Sequence, residues 1–418
     1  MHTLLARARA FQHEYPRQFW VLFFGALINA LCNGLVFPFL SLYLTQQLKF
    51  SMTQVGLTFT AFAVLSVISQ IMGGILTDRW GRKPVMLVSL LGGVVGTLLF
   101  ASASLIDMNN TWLRWSWVAV IILVMGLTSG AFNPAVNAMI ADLVGPEKRA
   151  GAYGLLRVVQ NLGISIGPAI GGFIAAISYS ALFIVAAAAS FIYSLILAVF
   201  VQETKPQLSQ PAQAAATAQA ADAGSRQILQ DWVFLAFCGL IVISQIVYSQ
   251  MNTTLPVYLN QSFGVTEQWY GLMMSLNAFM VVLFQFPLTH RTSRINKSIM
   301  MALGNGLYAI GFGLFGFVSA LPLFFMAWAI WTVGEMLTAP VAQTMVADFA
   351  PEAMRGRYMG AFGVSFAIAY GIGPLLGGMM MDGIGGKYIW YAAILLNGLV
   401  ALGFLAMRRV FQRRVALT

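Results

Sequence analysis

The sequence predicts an all-α, polytopic membrane protein with about twelve transmembrane helices, because the chain is too apolar for a water-facing fold. Of its 418 residues, 59% are hydrophobic and only 9% are charged, whereas soluble domains carry about 25% charged residues. The 40 glycines fit the same class, since small residues let membrane helices approach closely. This composition excludes a soluble protein and a soluble enzyme.

A helix needs about 20 apolar residues to cross a bilayer, and each half of the sequence contains runs of that kind. In the first half they lie near residues 19–44, 54–77, 84–104, 115–141, 150–177 and 179–201. In the second half they lie near residues 231–259, 269–290, 298–319, 322–346, 357–381 and 387–408. The runs therefore predict twelve spans joined mostly by short connections.

The distribution of Lys and Arg predicts the orientation, because cytoplasmic segments carry an excess of these residues. With the N-terminus placed inside, 19 of the 23 Lys and Arg residues fall in cytoplasmic segments. Lys49, Arg114 and Lys387 fall outside, and Arg157 falls within a span. Both termini are therefore predicted to be cytoplasmic, in the cell membrane. This pattern also explains the net charge of +10 as membrane topology, so no nucleic acid is expected as a partner.

The chain is predicted to consist of two six-helix bundles, at residues 1–202 and 231–418, joined by a cytoplasmic linker at residues 203–230. The linker is low in complexity and rich in Ala, Gln and Pro, which is typical of a flexible spacer. Similar features recur in the two halves at nearly constant offsets, which indicates an internal repeat. The recurring features are Tyr43-Leu44 and Tyr258-Leu259, Gly56-Leu57 and Gly271-Leu272, Asp142 and Asp348, and the pattern GPxxGG that begins at Gly167 and at Gly373.

Two motifs connect this architecture with a family. The loop after helix 2 reads GILTDRWGRKP, which matches GxLxDRxGRKP, the signature loop of the major facilitator superfamily. Helix 5 contains GxxxGPxxGG, which resembles the antiporter motif of drug:proton exporters in that superfamily. The motif residues are Gly74, Asp78, Arg79, Gly81, Arg82 and Lys83 in the loop, and Gly163, Gly167, Pro168, Gly171 and Gly172 in helix 5. The chain therefore resembles the twelve-helix drug:proton antiporters of the major facilitator superfamily.

The resemblance implies that the loop motif acts as a latch between the two halves in the outward-open state. Asp78 gains little from the C-terminal dipole end of its own helix, and the N-terminus of helix 11 near Arg357 would suit it better. The alternative is a basic loop that only sets topology, which explains the cations but not Asp78 or the glycine spacing. For helix 5 two interpretations stay open, a gate at a Pro168 kink or simple tight packing.

Glu335 is the carboxylate that the sequence places deep inside a span, on helix 10. A carboxylate at that depth is costly and is a functional candidate by default, because an apolar environment favours its protonated form. The run around Glu335 also looks like helix 10 of proton-coupled multidrug exporters. The alternative is a structural Glu that is hydrogen-bonded between helices.

Arg157 is the one basic residue inside a predicted span, and a cation at that depth needs a partner. Glu335, the substrate and Asp142 are all open as that partner. The resemblance implies an Arg on helix 4, but the corresponding position is Ile122, so the chain departs from the exporter pattern there. The predicted proton-coupling residues are Glu335, Asp142 and Arg157, with Asp142 as the next candidate after Glu335.

The predicted substrate cavity is lined by polar residues of helices 1, 4, 7 and 10, which line the cavity in the fold that the chain resembles. Its Asn residues on helices 1 and 4 form i,i+4 pairs, so each pair shares one helix face. The predicted set is Asn29, Asn33, Asn133, Asn137, Tyr248, Asn252 and Trp331. Hydrogen bonding between helices is the alternative role for each of them.

These features predict a proton-coupled secondary transporter that exports small amphipathic or cationic compounds by alternating access, as a monomer in membrane lipid. A dedicated metabolite or lipid transporter of the same superfamily is the alternative. A membrane enzyme would need a catalytic set such as HExxH or paired Asp residues within spans, and the sequence contains neither. No cofactor or metal is expected, since GxxxxGK[ST] is absent and Cys32 and Cys238 have no neighbouring metal ligands.

Overall fold

The secondary structure confirms the all-α prediction. The computed structural model describes residues 14–105, 110–205 and 228–415, and within these residues every regular element is a helix. Eleven helices in the described part of the chain are long and apolar enough to cross a membrane. The protein is therefore a multi-pass, helical membrane protein.

The spans follow the apolar runs of the sequence closely, and we number them α1 to α12. The first six are α1 Arg17–Gln46, α2 Met52–Trp80, α3 Arg82–Ala101, α4 Thr111–Leu143, α5 Pro146–Ile177 and α6 Tyr179–Phe200. The second six are α7 Trp232–Asn252, α8 Glu267–Thr292, α9 Lys297–Leu314, α10 Leu321–Phe349, α11 Arg355–Gly383 and α12 Lys387–Ala406. A short helix, Thr254–Phe263, follows α7, and α13, Arg408–Val415, follows α12.

The helix α9 corresponds to a predicted span but is not one of the eleven helices that are long and apolar enough to cross a membrane. It has 18 residues, begins at Lys297 and contains Asn305 and four glycines, so it is less apolar than the other spans. Asn305 is 1% exposed and accepts a hydrogen bond from the Ser244 hydroxyl at 2.7 Å. A helix that is largely enclosed by its neighbours tolerates such polar groups, because protein rather than lipid satisfies them.

Three of the spans are interrupted where the sequence disfavours a regular helix. In α1 a 3₁₀ turn at Phe37–Phe39 contains Pro38, and in α7 a 3₁₀ turn at Gln250–Asn252 precedes the short helix with Pro256. In α4 the helix breaks between Ser129 and Phe132. The break follows Gly130, where a side chain would strike the backbone carbonyl of Ser66 on α2.

By their internal contacts the described residues form two compact units. Unit 1 contains residues 14–43, 61–205 and 267–272. In it, α1 packs along α5 and α6, and α3 packs along α6 and α4. The buried core of unit 1 includes Phe19, Met86, Phe132, Tyr193 and Leu197.

Unit 2 contains residues 44–60, 228–266 and 273–415. In it, α9 packs along α10 and α12, and α7 packs along α11 and α12. Its core includes Phe237, Phe349, Phe404 and Phe411. Phe411 belongs to α13, whose Arg414 forms an ion pair with Asp231 at 2.9 Å.

Asp231 follows the predicted linker and is the N-cap residue of α7. Its carboxylate accepts a hydrogen bond from the backbone N–H of Phe234, as an N-cap does. Burial by itself would raise the pKa of Asp231, but the hydrogen bonds from Arg414, Phe234 and Tyr358 outweigh it and lower the pKa below its usual value. Asp231 is therefore ionised at neutral pH, and its contacts with Phe234 and Arg414 connect the start of α7 with α13.

Each unit carries an ion pair of a basic residue and an Asp at the predicted cytoplasmic ends of its helices. In unit 1, Arg82 at the start of α3 pairs with Asp142 near the end of α4 at 2.9 Å. In unit 2, Lys297 at the start of α9 pairs with Asp348 near the end of α10. Both pairs join equivalent helices of the two halves, which supports the internal repeat that the sequence offsets indicate.

Candidate functional site

A cavity of about 230 Å³ lies inside unit 2, between α7, α9, α10 and α11. The half-buried Glu335 of α10 faces this cavity. Most side chains of the cavity wall are aromatic or carry an amide. These lining residues include Gln245, Tyr248, Asn305, Tyr308, Phe366 and Tyr370.

Each carboxylate oxygen of Glu335 accepts one hydrogen bond from a neutral donor. The Tyr248 hydroxyl donates to Oε1 at 2.9 Å, and the Asn277 side-chain amide donates to Oε2 at 2.6 Å. Within the described residues, Glu335 forms no ion pair. A carboxylate that is held by neutral donors in an apolar span lacks the charge compensation that a guanidinium would give. Such a group is suited to binding and releasing a proton.

Close helix packing fixes the position of Glu335. The neighbouring Gly334 lies against Gly304 of α9, and a Cβ on Gly334 would lie 2.7 Å from the Gly304 carbonyl oxygen. One turn after Gly334, the Thr338 hydroxyl donates to the Tyr308 hydroxyl at 3.1 Å. The glycine pair therefore brings α9 and α10 close enough for Tyr308 to reach the cavity.

Trp331 lies behind the cavity wall rather than on it. Its side chain is fully buried, stacks on Phe312 with ring centroids 5.4 Å apart, and meets Tyr248 edge-on at 5.5 Å. It therefore positions the ring whose hydroxyl contacts Glu335. Asn252, which the sequence also places in the substrate cavity, lies in the 3₁₀ turn at the end of α7 and does not line this cavity.

Of the predicted cavity residues, Tyr248 contacts Glu335, whereas three further neighbours of this pair are not among the residues predicted for the site. Asn277 contacts Glu335 directly, and Tyr308 and Tyr370 line the same cavity. The only sequence feature that points to these three residues is a polar or hydroxyl-bearing side chain inside a predicted span. Only the packing of four helices shows which of these residues converge.

The remaining predicted polar residues lie in unit 1, on α1, α4 and α5. Asn33, Asn133, Asn137 and Arg157 are exposed, and Asn29 is half-buried. On α4 the residues beside these Asn positions, including Phe132, Val136 and Met139, are buried in the core. The two Asn residues of α4 therefore form an exposed polar stripe beside this buried face.

The glycines of α5 form a close contact with α1. A Cβ on Gly163 would lie 2.6 Å from the Cβ of Ala30, and one on Gly171 would lie 2.7 Å from the carbonyl oxygen of Leu35. Gly167 meets the backbone of Gly34 at 2.8 Å in the same way. This spacing of four residues is the small-residue pattern that allows membrane helices to pack backbone to backbone.

The last glycine of each GPxxGG pattern meets another backbone at the start of a helix. In unit 1, a Cβ on Gly172 would lie 2.5 Å from the carbonyl oxygen of Glu267, the first residue of α8. In unit 2, Gly378 would strike the carbonyl oxygen of Met52, the first residue of α2. Pro168 lies inside α5, which continues through it to Ile177. The observed geometry is tight packing at these positions.

The loop motif is built around the buried guanidinium of Arg82. Its Nε donates to Asp142 Oδ2 at 2.9 Å, and its Nη1 donates to the Thr77 carbonyl oxygen at 3.0 Å. Asp78 lies 3.5 Å from the same nitrogen, but its side chain is 72% exposed. Asp142, a predicted proton-coupling residue, is thus tied to the loop motif and does not line the cavity around Glu335.

Two of the motif glycines differ in what they do. Gly81 has φ 109°, a conformation that only glycine adopts readily, and a side chain there would also collide with Glu203. Gly74 has open space, since a Cβ would meet nothing within 4 Å. Gly81 is therefore required by the backbone, whereas Gly74 is not required by its described surroundings.

Glu203, at the start of the predicted linker, holds the loop motif from the other side. Its two carboxylate oxygens accept the backbone N–H groups of Arg82 at 2.9 Å and Lys83 at 3.0 Å, which caps α3. Burial by itself would raise the pKa of Glu203, but these hydrogen bonds and those from Lys205 and Thr204 lower it below its usual value. The linker thus begins as an ordered part of unit 1, while residues 206–227 of it lie outside the described residues.

Comparison with known families gives the identity of this architecture. A family model described as the Major Facilitator Superfamily matches residues 22–269 and again residues 242–416. The chain belongs to the Major Facilitator Superfamily. Members of this superfamily are transporters, so the protein is a membrane transporter of a small-molecule substrate and not an enzyme.

Relatives within the superfamily carry several different names. An uncharacterized MFS-type transporter of Bacillus subtilis (strain 168), YqjV, is 29% identical over 92% of this chain and 91% of its own length. A Na(+), Li(+), K(+)/H(+) antiporter of Planococcus maritimus is 25% identical over 87% of this chain and 89% of its own length. The multidrug resistance protein MdtH of Yersinia pestis (strain Pestoides F) is 26% identical over 87% and 86%.

Solved structures confirm the major facilitator fold. A bacterial homolog of the human lysosomal transporter Spinster, in an inward-facing and unoccupied conformation, gives a TM-score of 0.76 at 15% identity, covering 95% of this chain and 97% of that one. The D-xylose-proton symporter gives 0.73 at 14% identity, covering 92% and 96%. At these identities the likeness concerns the fold alone.

Proposed function

We propose that this transporter is a proton-coupled exporter of small amphipathic or cationic compounds. In this proposal it acts as a monomer in the cell membrane, with both termini in the cytoplasm. The observation that carries the proposal is Glu335, a membrane-embedded carboxylate with neutral donors on both oxygens beside an aromatic cavity. The names of two relatives, a multidrug resistance protein and a cation/proton antiporter, support the same direction.

The cavity chemistry suits a cation that competes with a proton. An ionised Glu335 attracts a cationic group, and aromatic rings such as Tyr248, Tyr308 and Phe366 attract it further through their faces. Protonation of Glu335 removes the charge and weakens this attraction. Alternating exposure of the site to the two sides of the membrane then exchanges protons for substrate.

A flux assay tests this proposal. In proteoliposomes with an acidic interior we expect the purified protein to accumulate ethidium, and we expect nigericin, which collapses the pH gradient, to abolish that accumulation. Protein-free liposomes provide the background. If a panel of cationic and amphipathic compounds shows no gradient-dependent flux, while a metabolite or a fluorescent phospholipid is moved, the alternative of a dedicated metabolite or lipid transporter replaces the proposal.

Asp78 has the proposed role of a conformational latch, and its exposure makes the role testable. An exposed ion pair contributes at most about 1 kcal/mol to stability, so Asp78→Asn should leave the thermal unfolding of the protein unchanged. We expect it to slow transport by about fivefold or more and to shift the labelling of cysteines toward the inward-open pattern. Glu147→Gln, which removes an exposed carboxylate from the first turn of α5, is the matched control. Unchanged flux and unchanged labelling in Asp78→Asn would refute the latch.

A further inference from the structure

One side of α5 carries two exposed stripes of opposite character. The first is apolar and follows the helical repeat through Val158, Leu162, Ile166 and Ile170, each more than 40% exposed. The second is polar and consists of Arg157 and Asn161, one turn apart and both exposed. Lipid tails can cover the apolar stripe, but they cannot satisfy a guanidinium or an amide. The polar stripe therefore faces water within the span.

The neighbouring helix α4 adds its own amides to this polar stripe. The Tyr153 hydroxyl of α5 donates to the carbonyl oxygen of Asn137 at 2.9 Å, which fixes the register of the two helices. The helices α4 and α5 are joined by a tight turn and run antiparallel. The residue one turn before Asn137 therefore lies level with the residue one turn after Tyr153. This register places the exposed Asn133 at the depth of Arg157.

Helix α1 contributes at nearly the same depth. It runs parallel to α5, with Ala30 level with Gly163 and Gly34 level with Gly167. Asn29 therefore lies close to the level of Asn161. Asn29, Asn133 and Asn161 thus lie at similar depths to Arg157 on three packed helices of unit 1.

The charge of Arg157 has no ion-pair partner among the carboxylates of unit 1 that the structure describes. Among the described residues Arg157 forms no ion pair. Asp142 is engaged by Arg82 and by the Thr204 hydroxyl. Glu147 lies ten residues earlier on the same helix, a distance of about 15 Å by helical rise. The exposed guanidinium therefore has no carboxylate partner within the described part of unit 1.

We propose that Arg157, with Asn133 and Asn161, binds a carboxylate, sulfonate or phosphate group of the transported compound. The planar guanidinium donates two parallel hydrogen bonds to such a group, and the amides add neutral donors beside it. The inference rests on the proposed export function, for which it names a substrate class. Among the amphipathic or cationic compounds of the proposed function, the class is the amphipathic ones that carry an anionic group on an apolar body.

Equilibrium binding of a matched pair of probes tests this proposal. Dansylglycine carries a carboxylate and dansylamide does not, and both are measured on the protein in phosphatidylcholine nanodiscs against empty nanodiscs. We expect the wild type to bind dansylglycine about tenfold or more tightly than dansylamide. Arg157→Gln should remove this preference while leaving dansylamide binding unchanged. Lys148→Gln, which removes an exposed cation from the first turn of the same helix, should retain the preference.

The outcomes separate this proposal from its rivals. Equal affinity of the two probes for the wild type, or an unchanged preference in a folded Arg157→Gln variant, overturns it. Native mass spectrometry gives a third outcome that overturns it: wild type retains phosphatidylglycerol, Arg157→Gln loses this lipid, and dansylglycine does not displace it. The bound anion is then a lipid headgroup. Binding is measured without a gradient, so a failure of proton-driven ethidium flux would refute the export function and leave the anion preference readable.

Discussion

We expect Glu335→Gln to abolish transport that is driven by a pH gradient, while exchange of substrate down its own gradient survives. Glutamine imitates the protonated carboxyl group permanently, so the variant can no longer alternate between a charged and a neutral form. It also keeps an acceptor for the Tyr248 hydroxyl, which donates to Glu335 at 2.9 Å. The loss of coupling should therefore occur without loss of folding. Cationic substrates should also bind more weakly, because the attracting charge is gone.

Substrate-induced proton release from the purified protein measures this prediction directly. Wild type should release protons when ethidium is added to weakly buffered protein, and Glu335→Gln should release none. Glu352→Gln is the matched control, because Glu352 is 90% exposed, lies 3.9 Å from Arg355 and does not line the cavity around Glu335. Release at the wild-type level from Glu335→Gln would move proton coupling elsewhere. Asp142 would be examined next, although its pairing with Arg82 already compensates its charge.

The helices could be predicted because the bilayer constrains them more strongly than packing does. A run of about 20 apolar residues has one stable solution in lipid, and the predicted run 54–77 corresponds to the observed helix Met52–Trp80. The break in α4 was not predictable, because it depends on Gly130 meeting the backbone of α2. Local sequence contains no record of such a contact.

The composition of the cavity depended on tertiary structure in the same way. Glu335 and Tyr248 stood out because polar groups in spans are rare and costly. Tyr308 looked like an ordinary residue of an apolar helix until the Gly304–Gly334 contact brought α9 against α10. Tyr370 lines the same cavity from α11. The role of Glu203 as a helix cap was not predictable for a different reason. Glu203 lies at the edge of a polar, low-complexity segment, and the two backbone N–H groups that it caps lie about 120 residues earlier in the chain.

The second large effect is expected from Gly171→Leu in α5. A Cβ at this position would lie 2.7 Å from the Leu35 carbonyl oxygen and 2.8 Å from the Phe39 ring, so a leucine must push α5 away from α1. The displacement carries Gly172 with it, and Gly172 lies against the backbone of Glu267. Overpacking of this kind costs about 1–3 kcal/mol, which is comparable with the gap between conformations of a working transporter. We therefore expect transport to be lost while the protein remains folded.

Transport in proteoliposomes and thermal unfolding of the purified protein test this prediction together. Gly171→Ala should show a smaller loss of transport, because it adds only the Cβ and not the branched end of the side chain. Gly93→Leu in α3 is the matched control, since a Cβ at Gly93 would meet nothing within 4 Å, and it should transport normally. Normal transport by Gly171→Leu would mean that α5 does not need its close approach to α1. If Gly171→Leu fails to fold, Gly171→Ala becomes the deciding variant. Transport by Gly171→Ala at the wild-type level would then count against the contact.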